Sequence, residues 1–114
     1  MHRGRFVIVR ACLSEICGVR VGYTASRRVG GAVDRNFCKR RMRHLVLIHR
    51  FCEQFSLKGD LGVDYVFIAQ QSMINAGWVD LCQDFESSVR AAKAKLLRST
   101  SNLTSQKMDF PHIA

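Results

Sequence analysis

The sequence changes its hydrophobic period sharply between residues 26 and 32, and that switch dictates a strand–turn–helix unit. Across residues 19–26, Val21, Tyr23 and Ala25 alternate with Gly22, Thr24 and Ser26. This is the period of a strand with one face on a core and one face open. Gly30 and Gly31 then interrupt the pattern. From about residue 32 to residue 51, Cys38, Met42, Leu45 and His49 recur at the spacing of one narrow helical stripe. Asp34 falls in the first turn of that helix, where the exposed amides favour a carboxylate. Arg35, Asn36, Lys39, Arg40 and Arg43 fall together on a different arc.

The flanking segments supply the rest of a sheet and a second helix. Residues 5–13 (RFVIVRACL) are rich in Val, Ile and Phe and read as a strand. The strand at 19–26 is so close in sequence that a hairpin between the two is the expected pairing. Residues 59–64 (GDLGVD) are rich in turn formers, and residues 65–69 (YVFIA) form a short apolar run typical of a buried strand. From Trp78 to about Leu97, helical spacing returns, with Trp78, Leu81, Cys82, Phe85, Val89, Ala92 and Leu96 on one side as core packing. The order β-β-α-β-α implies an α/β, two-layer α+β sandwich in which a small mixed sheet carries its helices on one face. A helix linking two parallel strands generally makes a right-handed crossover. One domain is expected over residues 1–98, with residues 99–114 a polar, aperiodic tail.

Charge narrows the class of partner. The chain has 114 residues with 18 Lys plus Arg against 9 Asp plus Glu, a net charge of +9. Eight of the basic residues lie between Arg27 and Arg50, where Asp34 is the sole acid. A helix that is merely solvated interleaves Glu with Lys or Arg at i,i+4, so the basic arc reads as a surface for a polyanion such as nucleic acid. No run approaches the length of apolar sequence that a membrane span requires, and no membrane partner is expected. Cys12, Cys17, Cys38, Cys52 and Cys82 are odd in number and scattered, as free and mostly packed thiols of a reducing compartment would be. With His44 and His49 they make no metal set: there is no Cys-x2-Cys knuckle, and the two histidines fall on different helix faces. No paired carboxylates or nucleophile–histidine pattern suggests a hydrolytic centre in the chain itself.

Residues 20–43 read RVGYTASRRVGGAVDRNFCKRRMR. This stretch resembles the signature of the bacterial ribonuclease P protein family, carried here by Ser26, Arg27, Arg28, Gly30, Ala32, Val33, Arg35, Asn36, Lys39, Arg40 and Arg43. Residues 64–69 (DYVFIA) also resemble the family's last strand. The resemblance implies a left-handed crossover in place of the general right-handed one. It further implies a bacterial, cytoplasmic ribonucleoprotein in which an RNA subunit, with Mg²⁺ held by its phosphates, removes the 5′ leader of precursor tRNA. The partners implied are ribonuclease P RNA, in a 1:1 complex, and precursor tRNA. A non-catalytic, ribosome-associated RNA-binding module is the alternative that composition alone leaves open.

The expected RNA-binding residues are Arg27, Arg28, Arg35, Asn36, Lys39, Arg40 and Arg43. Arginine can fork two hydrogen bonds onto one phosphate, and Asn36 can meet a base edge or a 2′-hydroxyl. For the leader strand, the open face of the second strand is expected to contribute Thr24 and Ser26, with Arg28 beside them and Val9 joining the surface. The chain departs from the family pattern at Phe37, where a third basic residue is usual; Phe37 either stacks on a base or packs inward. The family's helix before the first strand has no counterpart here, since the sequence begins almost at that strand: either the true start lies upstream, which is the expectation, or leader binding is weakened and part of the sheet face is uncovered.

Overall fold

The computed structural model describes residues 1–49 and 62–108. Its elements run β1 (His2–Arg3), β2 (Val7–Ser14), β3 (Gly18–Thr24), α1 (Ala32–Ile48), β4 (Gly62–Ala69), a 3-10 turn (Gln71–Asn75) and α2 (Trp78–Met108). The strands form one mixed sheet in the order β1-β2-β4-β3. The two-layer α+β class expected from the sequence is the class observed.

The hairpin is not. β2 pairs antiparallel with β4 and β3 pairs parallel with β4, so the late strand inserts between the two early ones. The reason lies in burial. Val63, Tyr65, Phe67 and Ala69 make β4 the most apolar strand, and the central position lets it pack on both sides. Residues 15–17 therefore arch over the start of β4 rather than closing a tight turn. Ser14, Gly62 and Gly18 share one row across the three strands, and the Ile16 carbonyl lies against the α-carbon of Gly62. A β-carbon there would collide with the backbone of Ile16 and Ser14, so the arch requires glycine at 62. Gly18, with φ 107°, takes the left-handed conformation that returns the chain into β3.

Strand parity sorts the sheet into a covered and an open face. Val9–Phe67–Tyr23, Ala11–Tyr65–Val21 and Leu13–Val63–Val19 are cross-strand rows on the covered side. Against them pack Cys38, Met42 and Leu45 from α1 and Leu81, Phe85, Val89 and Ala92 from α2. α2 lies over β1 and β2, while α1 lies over β3 and β4. Phe67 is the hub, with its ring centroid 5.2 Å from Phe85, 6.1 Å from Tyr23 and 6.4 Å from Tyr65. Truncating such a ring to alanine costs about 3–5 kcal/mol through lost transfer energy and the cavity left behind.

The start of β2 is pinned to α2 by one carboxylate. Asp84 accepts the backbone N–H groups of Arg5, Phe6 and Val7 at 2.7, 2.8 and 3.2 Å. Gln70 adds Nε2 to the Gly4 carbonyl at 2.7 Å, and its own N–H reaches the Phe6 carbonyl.

Element boundaries differ from the sequence reading in three places. β4 begins at Gly62, inside the stretch read as a turn. α1 ends at Ile48, and Phe51, Cys52 and residues 59–61 lie outside the described residues. α2 continues past Ser99 to Met108, because extending an existing helix needs far less than nucleating one, even through Ser, Thr and Asn. The thiols are less packed than expected: Cys38 is buried and Cys82 half-buried, but Cys12 and Cys17 are exposed. No helix among the described residues is long and apolar enough to cross a membrane.

Candidate nucleic-acid interface

The loop from β3 into α1 is built to display two arginines. Ala25 and Val29 are buried, and the Val29 N–H closes a turn onto the Ser26 carbonyl at 3.0 Å. With Ala25 and Val29 anchored, Arg27 and Arg28 between them point into solvent, as do Thr24 and Ser26. α1 then follows with its core stripe turned inward, which leaves Asn36, Arg40 and Arg43 exposed and Arg35 and Lys39 half-buried.

Among the described residues, no acidic side chain forms an ion pair with that arc; the ion pairs are Arg20–Asp64 and His49–Glu86. Arg35 Nε is shielded from solvent and finds no acceptor among the described residues. Arg43 lies over the Tyr23 ring, 5.6 Å from its centroid, and so joins the helix arc to β3. Arg27 and Arg28 in the β3–α1 loop and Asn36, Arg40 and Arg43 at i, i+4 and i+7 on α1 are the exposed members of this basic rim, with Arg35 and Lys39 half-buried.

The open face of the sheet is a second surface. Its rows are Ile8–Ile68–Thr24, Arg10–Val66–Gly22 and Cys12–Asp64–Arg20. At one end Arg20 grips Asp64 through Nε and Nη2 at 2.8 and 2.6 Å. That fork holds the Asp64 carboxyl below the usual carboxylate range and raises the Arg20 guanidinium. A shallow depression lies beside the pair, between Arg20, Gly22, Asp64 and Val66. Thr24 stands at the opposite end of the face.

Val9 does not belong to this surface. It is fully buried and faces Phe67 on the covered side. Its outward neighbours are Ile8 and Arg10, and Arg10 is the exposed cation that the sequence reading passed over. Val7, Ile8 and Val9 are all apolar, so composition does not reveal which parity faces out; the contrast between Ile8–Arg10–Cys12 and Val7–Val9–Ala11 is the signal that does.

α1 carries one more basic residue, and it behaves differently. Arg41 turns back, donating Nη1 to the Met73 carbonyl at 2.7 Å and Nη2 to the Ala76 carbonyl at 2.8 Å. Its guanidinium also lies 5.3 Å from the Phe37 ring and 5.8 Å from the Trp78 ring. Arg41 is therefore a staple between α1 and the connection into α2. Trp78, expected as a core residue, is instead 38 % exposed, and Phe37 is 39 % exposed beside it.

Comparison with known proteins agrees with this architecture. The family model of ribonuclease P matches residues 1–93. The ribonuclease P protein component of Caulobacter vibrioides is 30 % identical over 109 residues, which cover 96 % of this chain and 70 % of that protein. The same component from Kocuria rhizophila is 35 % identical over 88 residues, covering 77 % and 73 %. Among solved structures, the Staphylococcus aureus RNase P protein superposes with a TM-score of 0.62 at 27 % identity, covering 80 % of this chain and 78 % of that one. The Thermotoga maritima RNase P protein shares the fold, with a TM-score of 0.61 at 18 % identity over 78 % and 79 % of the two chains. With its family model matched across the sheet, the basic helix and the first half of α2, this chain belongs to the bacterial ribonuclease P protein family.

Proposed function

We propose that the chain acts as the protein subunit of ribonuclease P, in a 1:1 complex whose RNA subunit cuts the 5′ leader from precursor tRNA in the bacterial cytoplasm. The basic rim of Arg27, Arg28, Arg35, Asn36, Lys39, Arg40 and Arg43 docks on the RNA subunit. The open sheet face, with Thr24 and Arg10, and the adjoining Ser26 and Arg28 of the β3–α1 loop receive the single-stranded leader. The observation that carries this reading is the helix arc of cations with no carboxylate partner among the described residues, in a chain of this family. Lining up cations without counter-charge raises self-repulsion, and a polyanion that releases its own counterions on binding relieves it.

The described residues hold no group of three or more His, Cys, Asp or Glu side chains that would cage a metal ion. Mg²⁺ favours carboxylates together with phosphates, so in this reading the ion sits on RNA phosphates. The chain's own work is to bring leader and RNA together and to lower the repulsion between their backbones. This makes low Mg²⁺ the condition where the protein matters most.

The test is cleavage of a 5′-extended precursor tRNA by a bacterial ribonuclease P RNA at low Mg²⁺, with and without the chain. Stimulated cleavage at the mature 5′ end, dependent on the RNA, is expected. In parallel, Arg40→Ala should weaken RNA binding and lower the slope of log affinity against log salt by about 1. Unstimulated cleavage together with an unchanged slope would overturn the reading.

A further inference from the structure

The cleft between α1 and the start of α2 has the composition of a stacking site. Phe37, Arg40, Arg41, His44 and Trp78 line it, around a space of about 210 Å³. This is below the roughly 300–1,000 Å³ of pockets for drug-sized ligands and suits a single planar ring. The His44 and Trp78 rings stand 5.3 Å apart at 47°. Phe37 and Trp78 flank the Arg41 guanidinium, whose two terminal nitrogens are both spent on backbone carbonyls. The rings are thus held in place around a fixed plane and stay partly exposed.

We infer that this cleft takes one unpaired nucleobase of a bound RNA, stacked on Phe37 and Trp78, with the adjoining phosphate on Arg40. Three observations converge on that occupant. Arg40 belongs both to the cleft and to the basic rim, so a strand following the rim arrives at the aromatic rings. Aromatic rings interleaved with cations are what single-stranded nucleic acid requires, since every base offers a π-face and every linkage a charge. The surroundings are cationic, with Arg40 and Arg41 in the cleft on a chain of net charge +9, which opposes a second copy of this chain as the occupant. Phe37 thereby exchanges a salt-sensitive phosphate contact for a salt-insensitive stack. The inference rests on the ribonuclease P reading for its RNA.

Trp78 is the chain's one tryptophan, so its emission reports on the cleft directly. The experiment titrates the full chain with a bacterial ribonuclease P RNA, reading Trp78 fluorescence and affinity together. Single-stranded oligoadenylate and an abasic phosphodiester of equal length serve as further probes. Quenching by the RNA and by oligoadenylate, but not by the abasic strand, is expected. Phe37→Ala should weaken RNA binding by about 5- to 160-fold, from about 1–3 kcal/mol per stacked base, with the salt slope unchanged, and Phe37→Tyr should restore it. RNA binding with unaltered Trp78 emission, and with Phe37→Ala binding like the parent chain, would overturn the stacking site while leaving the RNA-subunit role standing. Self-association lost in Phe37→Ala, with no quenching, would assign the cleft to a second copy and overturn it equally. Absence of any RNA binding would remove both readings.

Discussion

Removing the Arg41 side chain tests whether the cation is a staple or an RNA contact. Its two hydrogen bonds, at 2.7 and 2.8 Å, bind α1 to the carbonyls of Met73 and Ala76. Hydrogen bonds to a charged group are worth about 1.5–3 kcal/mol each, and each cation–π contact at a partly exposed site adds about 0.5–1 kcal/mol. The carbonyls are only part-buried, so water recovers some of this loss in the variant. A net cost of about 2–4 kcal/mol for Arg41→Ala is the consequence. For a domain of this size that corresponds to a fall in Tm of about 8–16 °C. Arg41→Lys should regain at most about half, because one ammonium on a flexible stem does not span two carbonyls as a planar fork does. Thermal unfolding followed by circular dichroism, with urea midpoints alongside, gives the numbers. The same variants should keep the salt slope of RNA binding, since a guanidinium spent on the backbone releases no counterions. A Tm within about 3 °C of the parent, together with a salt slope reduced as in Arg40→Ala, would refute the staple and make Arg41 a phosphate ligand.

Asp84→Ala should destabilise the fold by about 2–4 kcal/mol, since three backbone N–H groups at the start of β2 lose their shared charged acceptor. Asp84→Asn should lose less, its amide oxygen still accepting, and equal midpoints for the two variants in urea would count against the carboxylate as the pin. Tyr65 is buried on the covered face, and desolvation of the phenolate pushes its pKa from 10.0 to about 12. The native state therefore holds a proton that the unfolded chain has released, so stability is complete below pH 10 and declines from pH 10 to 12, by about 2–3 kcal/mol. Urea midpoints across that range should fall less steeply for Tyr65→Phe. Parallel declines in the two proteins, or tyrosinate absorbance from Tyr65 appearing near pH 10, would show that burial does not control the group.

What the sequence made legible follows from which physical signals are local. The α1 stripe and arc, the alternation of β3 and the apolar run of β4 are properties of short windows, and each produced the element expected. Strand order is not local. Residues 15–17 are short enough for a hairpin, and nothing within β2 or β3 announces that β4 will separate them; Gly62, where a β-carbon would collide with the Ile16 carbonyl, makes sense only once the arch exists. The same limit governs the candidate site. Arg35, Asn36, Lys39, Arg40 and Arg43 were readable as one arc because helical spacing alone places them. Val9 was misplaced because parity in an all-apolar triplet depends on what covers the sheet. The cleft of Phe37 and Trp78 was the least visible, since it joins residues from two helices that meet only through tertiary packing. A helix wheel marks Phe37 as an interruption of the basic arc and Trp78 as the first residue of an apolar stripe. Arg41, tying α1 to the turn before α2, and the His44–Trp78 ring contact bring the two rings to one place. That dependence ties stability to recognition: a variant that cuts the staple should lose base stacking as well, whereas Phe37→Ala should lose stacking and leave the staple's two hydrogen bonds intact.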